Sequence, residues 1–169
     1  MVYSMTLFDL AQEDYNVIKA LIKDSDELYM RTICYHMEQA IEKLLKYAIE
    51  LKGSKFPYSH SIIQLYSLYT SLDYPAIVDL ENMSDTLEKW EAKSRYDFDF
   101  YATKGQLAIA DNIYKELYGI IKKTITFDPE QFMKTYLGDK ASLMPITAVH
   151  TCTSEDECLA LIDSLKHLL

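Results

Sequence analysis

Arg31 and His36, in the run RTICYH, are the residues of this sequence whose types come closest to a phosphate-cutting pair. RNA cleavage needs an acid or base within hydrogen-bond reach of the ribose and a cation beside the phosphate, and an imidazole near a guanidinium can supply both. The run lies in a stretch of helical periodicity, however, where positions five apart are turned by about 140° from one another. Arg31 then falls on a face with Tyr35, Glu38 and Glu42, and His36 on a face with Gln39 and Lys43. Within one chain that geometry serves cleavage poorly, and a structural or partner-contacting role competes with it. A second set is the polar strip Tyr35, His36, Lys43 and Lys46, whose converging donors could hold the phosphate or ribose of one ligand. The same strip also reads as a solvated helix face, with Glu42, Lys46 and Glu50 as ordinary i,i+4 pairs. Arg95 and Tyr96, in SRYDFDFY, form a third candidate. The arginine is expected either to fix its loop through Asp97 or Asp99 or to meet an anionic ligand. His60, beside Ser59, reads as a helix-start residue.

Other chemistries find little support. A di-metal carboxylate bundle needs Glu-x-x-His pairs, and no glutamate here has a histidine three residues on. His150, Cys152 and Cys158 are soft ligands, but their spacing fits no standard zinc motif, so no metal and no cofactor are expected. Neither a glycine-rich phosphate loop nor a serine-triad signature is present. The net charge of −9 argues against a broad nucleic-acid surface, so DNA is not expected as a partner, although a local basic patch remains open. Three cysteines without a pattern suit a reducing compartment. No apolar run approaches the roughly 20 residues of a membrane span, and the first residues lack a leader pattern, so a cytoplasmic protein without membrane attachment is expected. The fourteen tyrosines are either half-buried bundle residues with wet hydroxyls or stacking residues for a base.

The elements that must position these residues are helices. Four glycines and four prolines leave little turn chemistry, and the apolar residues recur with a period of 3.6. The longest run, Asp26 to Gly53, carries Met30, Cys34, Met37, Ile41, Leu44, Ala48 and Leu51 in one stripe, widened by Ile33, Ala40 and Tyr47. So broad a stripe needs helices on two sides. Asp24 with Glu27 is expected to cap it and Gly53 to end it in a left-handed turn. Before it, Thr6 or Asp9 opens a helix to about Lys23 on Phe8, Ala11, Tyr15, Ile18 and Ile22. After it, Ser59 is expected to cap a helix over about 60–72. Asp73-Tyr74-Pro75 starts another to Lys93, with a possible break at Ser84. Ser94 to Tyr101 reads as an irregular loop, and Thr103 caps a long helix to about Ile125. Asp128-Pro129 opens a short helix to Leu137, residues 139–153 read as loop with a possible strand at 146–149, and Thr153 or Ser154 caps a last helix on Cys158, Leu161, Ile162, Leu165 and Leu169. The fold class is thus all-α: about five main helices over 1–127 and a short helical extension over 128–169.

The run CYHMEQAIEKLLKYAIELKGSKFPYSHSI, Cys34 to Ile62, resembles the second helix, following loop and third-helix start of HEPN domains, a family of nucleotide-related bundles. AQEDYNVIKALI, Ala11 to Ile22, resembles the preceding helix, and SRYDF, Ser94 to Phe98, the Arg-Tyr pair before the last one. The pieces match in order and spacing over about Ala11 to Lys123. The resemblance implies an up-and-down helical bundle, usually a homodimer, in nucleotide or RNA biology. Many members act beside a small nucleotidyltransferase in a two-component, toxin-antitoxin type of system. Others are metal-independent RNases with an Arg, four to six residues, then a His, joined across a dimer. Arg31 and His36 have that spacing, but Arg95, where the order of the pieces puts the motif, has no histidine in range. A binding and interaction module without nuclease activity is therefore expected first, with a ribonuclease using Arg31 and His36 across a dimer as the alternative.

Overall fold

The computed structural model describes residues 5–25 and 27–168, and every regular element among them is helical. In order these are α1 (Leu7–Ser25), α2 (Met30–Leu51), α3 (Ile62–Ser71), α4 (Val78–Tyr96), α5 (Lys104–Thr126), α6 (Pro129–Leu137), α7 (Ile146–Val149) and α8 (Glu155–Ser164), with 3-10 turns at Gly138–Leu143 and Lys166–Leu168. The chain forms two compact units, one running to Gly119 and the other beginning at Ile120. None of the described helices is long and apolar enough to cross a membrane.

The first unit is built around α2. Its stripe residues Cys34, Met37, Ile41, Leu44 and Ala48 are fully buried, and so are Ile33, Ala40, Leu45 and Ile49 beside them. Packing by α1, α3 and α4 explains why almost no face of α2 is left to solvent. Burying a Leu or Ile side chain contributes roughly 1.5–3 kcal/mol, so this one helix supplies much of the unit's apolar gain. Thr6 and Asp9 make a reciprocal cap at the start of α1: the Asp9 amide donates to the Thr6 hydroxyl at 3.2 Å and the Thr6 amide to the Asp9 carboxylate at 2.9 Å. Thr103 and Gln106 repeat the device at the start of α5, at 3.0 and 2.9 Å. A run of rings joins α1 to α5, with Tyr15 stacked on Tyr114 at 4.0 Å and Phe8 on Tyr118 at 5.0 Å. The Tyr15 hydroxyl donates to Asp111 at 2.7 Å, and burial with that carboxylate holds the phenol far above its usual range.

Several boundaries differ from those expected. No side chain caps α2, which starts at Met30 after a turn over Glu27 to Tyr29; the Asp24 carboxylate accepts from the Tyr29 hydroxyl instead. Asp26, the expected first residue of that stretch, lies outside the described residues, as does Leu169 at the far end. The turn after α2 has Gly53 at φ +70°, where a side chain would be strained. Ser61, not Ser59, caps α3 by accepting from the Gln64 amide at 3.3 Å, because Ser59 instead accepts from the Ser61 amide. Pro75 does not open α4, which begins at Val78; Asp73 takes φ +60° and Tyr74 turns inward so that its hydroxyl donates to the Ala48 carbonyl at 2.9 Å. Ser84 does not break α4, since its hydroxyl bonds back to the Leu80 carbonyl at 2.6 Å and leaves the ladder intact. Helix also continues through Ser94, Arg95 and Tyr96. Ile22, expected on the core side of α1, is 46% exposed.

In the second unit Asp128 accepts from the Gln131 amide at 3.0 Å, Pro129 opens α6, and Gly138 takes φ +60° at its end. Met133, Met144, Val149, Cys152, Cys158 and Ile162 form the core of this unit. The residues between α6 and α8 are mostly helical turns, not loop or strand: a 3-10 segment and α7 bring Met144 and Val149 into that core without a sheet partner. Ser154 caps α8 by accepting from the Glu157 amide at 3.3 Å, and Glu157 reaches back to the Thr153 amide at 2.6 Å.

Candidate functional site

Arg31 leaves α2 toward the end of α4. Its guanidinium donates to the carbonyls of Ser94 and Phe98, at 3.3 and 2.8 Å, and lies 5.5 Å from the ring centre of Phe100. His36 leaves toward α1, where its Nδ1 meets Asp14 at 2.8 Å. The other oxygen of Asp14 accepts from Lys43 at 2.6 Å, and Lys43 also donates to Gln39 at 3.3 Å. The two residues of the RTICYH run are thus fastened to different helices, and in this chain they do not converge. A proton on Nδ1, donated to Asp14, leaves Nε2 as an acceptor, an orientation that suits an acid or base.

Lys46 donates to Glu42 at 2.6 Å and sits 5.3 Å from the Phe56 ring, while His60 Nδ1 meets the other Glu42 oxygen at 3.1 Å. The strip Tyr35, His36, Lys43 and Lys46 is therefore not a row of open donors: Asp14 engages His36 and Lys43, and Glu42 engages Lys46. Glu38 and Glu42, placed by periodicity on one face with Arg31 and Tyr35, are buried. Glu38 accepts one bond, from its neighbour Gln39 at 2.9 Å, and its Oε1 has no partner. Burial, together with the carboxylates of Glu42 and Glu91, pushes the Glu38 acid up to about 8, against the opposing pull of the Gln39 bond and Lys43.

Arg95 lies between two rings, 5.7 Å from the centre of Tyr35 and 5.3 Å from that of Tyr96. Its partners are Glu91 on the preceding turn, through an ion pair and a 3.1 Å bond from Nε to the Glu91 carbonyl, and not the expected Asp97 or Asp99. Helix through Tyr96 explains the difference: Glu91 and Arg95 become an i,i+4 pair, and Asp97 is left to accept from the Asp99 amide at 2.9 Å. Tyr96, Phe98 and Tyr101 are 77%, 98% and 81% exposed, so the end of α4 presents an aromatic surface. Next to it, a groove of about 460 Å³ is lined by Met30, Arg31, Phe100, Tyr101, Thr103 and Lys104.

The sequence-read residues thus fall into three groups. Tyr35, Arg95 and Tyr96 come together, His36 and Lys43 meet on Asp14, and Lys46 joins Glu42. Asp14, Glu38 and Glu91 were missed; only Glu91 had a sequence signal, its i,i+4 spacing to Arg95. In the second unit His150 pairs with Glu130, the Cys152 thiol points to the Ala148 carbonyl at 3.7 Å, and burial pushes the Cys158 thiol up to about 12. Among the described residues no three His, Cys, Asp or Glu side chains group in a way that could hold a metal.

A family model described as the HEPN domain matches residues 5–124, all five helices of the bundle but for the end of α5. The chain belongs to the HEPN family. Its all-helical bundle is the architecture that membership requires, and HEPN domains are nucleotide- and RNA-related modules that often dimerise. No curated protein and no solved structure matches the chain.

Proposed function

We propose that this HEPN chain is a binding and interaction module in nucleotide or RNA biology that does not cut RNA. The observation that carries this reading is the separate fastening of Arg31, to the α4 end through Ser94 and Phe98, and of His36, to α1 through Asp14. An acid or base and a phosphate-binding cation need to meet within hydrogen-bond reach of one substrate. The contact surface in this reading is the end of α4, where Arg95 is flanked by Tyr35 and Tyr96 and where Phe98 and Tyr101 are open. It is the part of the candidate site with exposed aromatic area beside a cation. The bundle of residues 1–127 would act as a homodimer, with a small nucleotidyltransferase as its partner in a two-component, toxin-antitoxin type of system, and 128–169 as a helical extension.

The rival reading is a metal-independent ribonuclease assembled from Arg31 of one copy and His36 of another. The Asp14 bond favours it, because a carboxylate-oriented imidazole is a recurring acid-base device. Incubating the protein with single-stranded and structured RNA in chelator separates the two. No cleavage is expected. Cleavage that disappears in His36→Ala overturns the non-catalytic reading. Calorimetry with nucleotides is expected to show binding that weakens in Arg95→Ala, and an absence of binding at millimolar concentration moves the proposal to a protein partner.

A further inference from the structure

We propose that Glu38 is a neutral-acid latch between α2 and α4, and that its loss of a proton loosens the last turns of α4 from α2. Three residues at i, i+4 and i+7 along one face of α2 meet or approach α4: Arg31 bonds the Ser94 carbonyl, Tyr35 faces Arg95, and Glu38 lies within electrostatic reach of Glu91. Glu38 has no solvent exposure, its Oε1 has no partner, and its other oxygen accepts a single amide bond. A carboxylate offers about four lone-pair sites, and leaving most of them unmet in a buried seam favours the uncharged acid. Ser94, on the α4 side of the seam and 7% exposed, likewise has an unpartnered hydroxyl, and it does not donate to Glu38 in this arrangement.

The charged neighbours reinforce this. On α2 itself stand Glu42, which holds Lys46 and His60, and Lys43, which Asp14 of α1 engages. From α4 comes Glu91, already paired with Arg95. The sequence of α3 contains no charged residue, and His60 just before it is bound to Glu42. Lys43, the cation that pulls against this, is thus engaged by Asp14, while Glu42 and Glu91 oppose a third negative charge. Ionised Glu38 gains hydration by parting the seam. At the α4 end of that seam lie the Arg31 bonds to Ser94 and Phe98 and the Arg95 stack, which loosen with it. The latch stands whether or not that surface takes a ligand.

Trp90, the single tryptophan, is 2% exposed on α4, so its emission responds when that helix loosens and water reaches it. Titrating the whole chain is expected to shift that emission toward longer wavelength with a midpoint near 8, with lower amide protection over residues 94–101, taken against the intrinsic exchange rate at each pH, on the alkaline side. The shift is expected to vanish in Glu38→Gln, which keeps the shape without the charge. Carbon-13 spectra of glutamate-labelled wild-type protein provide a readout that needs no variant, with one side-chain carboxyl expected to titrate far above the rest. A flat emission profile, a shift that survives Glu38→Gln, or glutamates that all titrate in the ordinary acid range overturns the proposal.

Discussion

Leu44→Ala tests whether α2 is the central support of the first unit. The side chain has no solvent exposure, and the substitution removes three carbons from a helix packed by α1, α3 and α4. At ~0.8 kcal/mol for each buried methylene, the transfer part is about 2.4 kcal/mol. Partners on three sides limit collapse into the space left behind, so the cavity brings the total to roughly 3–4 kcal/mol, within the range known for buried leucines. Against a stability of ~5–15 kcal/mol this is a large share. Urea unfolding followed by Trp90 emission is the suitable assay, because the tryptophan lies in the same unit and the second unit has none. Ile63→Ala, at a position 46% exposed on α3, serves as the control and is expected to cost under about 1 kcal/mol. A Leu44→Ala loss no larger than that of the control would refute the placement of the core.

Two further outcomes follow from the same residues. Light scattering at tens of micromolar is expected to give twice the 19.6 kDa chain mass, with an interface of about 1,600 Å² if it is of standard size, and a monomer mass alone counts against the proposed homodimer. Stability should also fall with rising pH in a window set by Glu38. Its folded value of about 8 is raised above the unfolded one, so its contribution is complete below the unfolded value, is lost as pH rises toward about 8, and levels off beyond. Its slope approaches ~1.4 kcal/mol per pH unit, and Glu38→Gln should remove that share of the pH dependence; an identical profile in the variant contradicts the shift.

The helices were legible where a stripe and a cap agreed. Thr6 with Asp9, Thr103 with Gln106 and Asp128 with Pro129 are local chemistry, satisfied within three residues whatever the rest of the chain does. Boundaries set by distant contacts were not. Tyr74 is drawn inward by the Ala48 carbonyl, and that contact delays the start of α4 past Pro75. The aromatic spacing of 96–101 hid a last helical turn because Tyr96 and Phe98 stay exposed and so follow no core periodicity. In the candidate site, the angular separation of Arg31 and His36 could be read from the helix period alone. The burial of Glu38 and Glu42 could not, since their type argues for solvent and their cover comes from elements distant in sequence, His60 on Glu42 among them.

That covering bears on the kind of partner α2 can serve. Along its polar side Lys43 is held by Asp14, Lys46 by Glu42, and Arg31 by two backbone carbonyls. A phosphate approaching this helix would have to displace carboxylates at 2.6 Å from cations that are only partly exposed, and breaking such pairs leaves a charge uncompensated. A polyanion, which gains affinity by neutralising many phosphates at once, finds no run of open cations here. The end of α4 differs in kind. Tyr96, Phe98 and Tyr101 offer large apolar rings beside Arg95, the residue types over-represented where proteins bind one another. Within the proposed function, the balance therefore lies with one small ligand or a protein surface at that end, and against an RNA laid along α2.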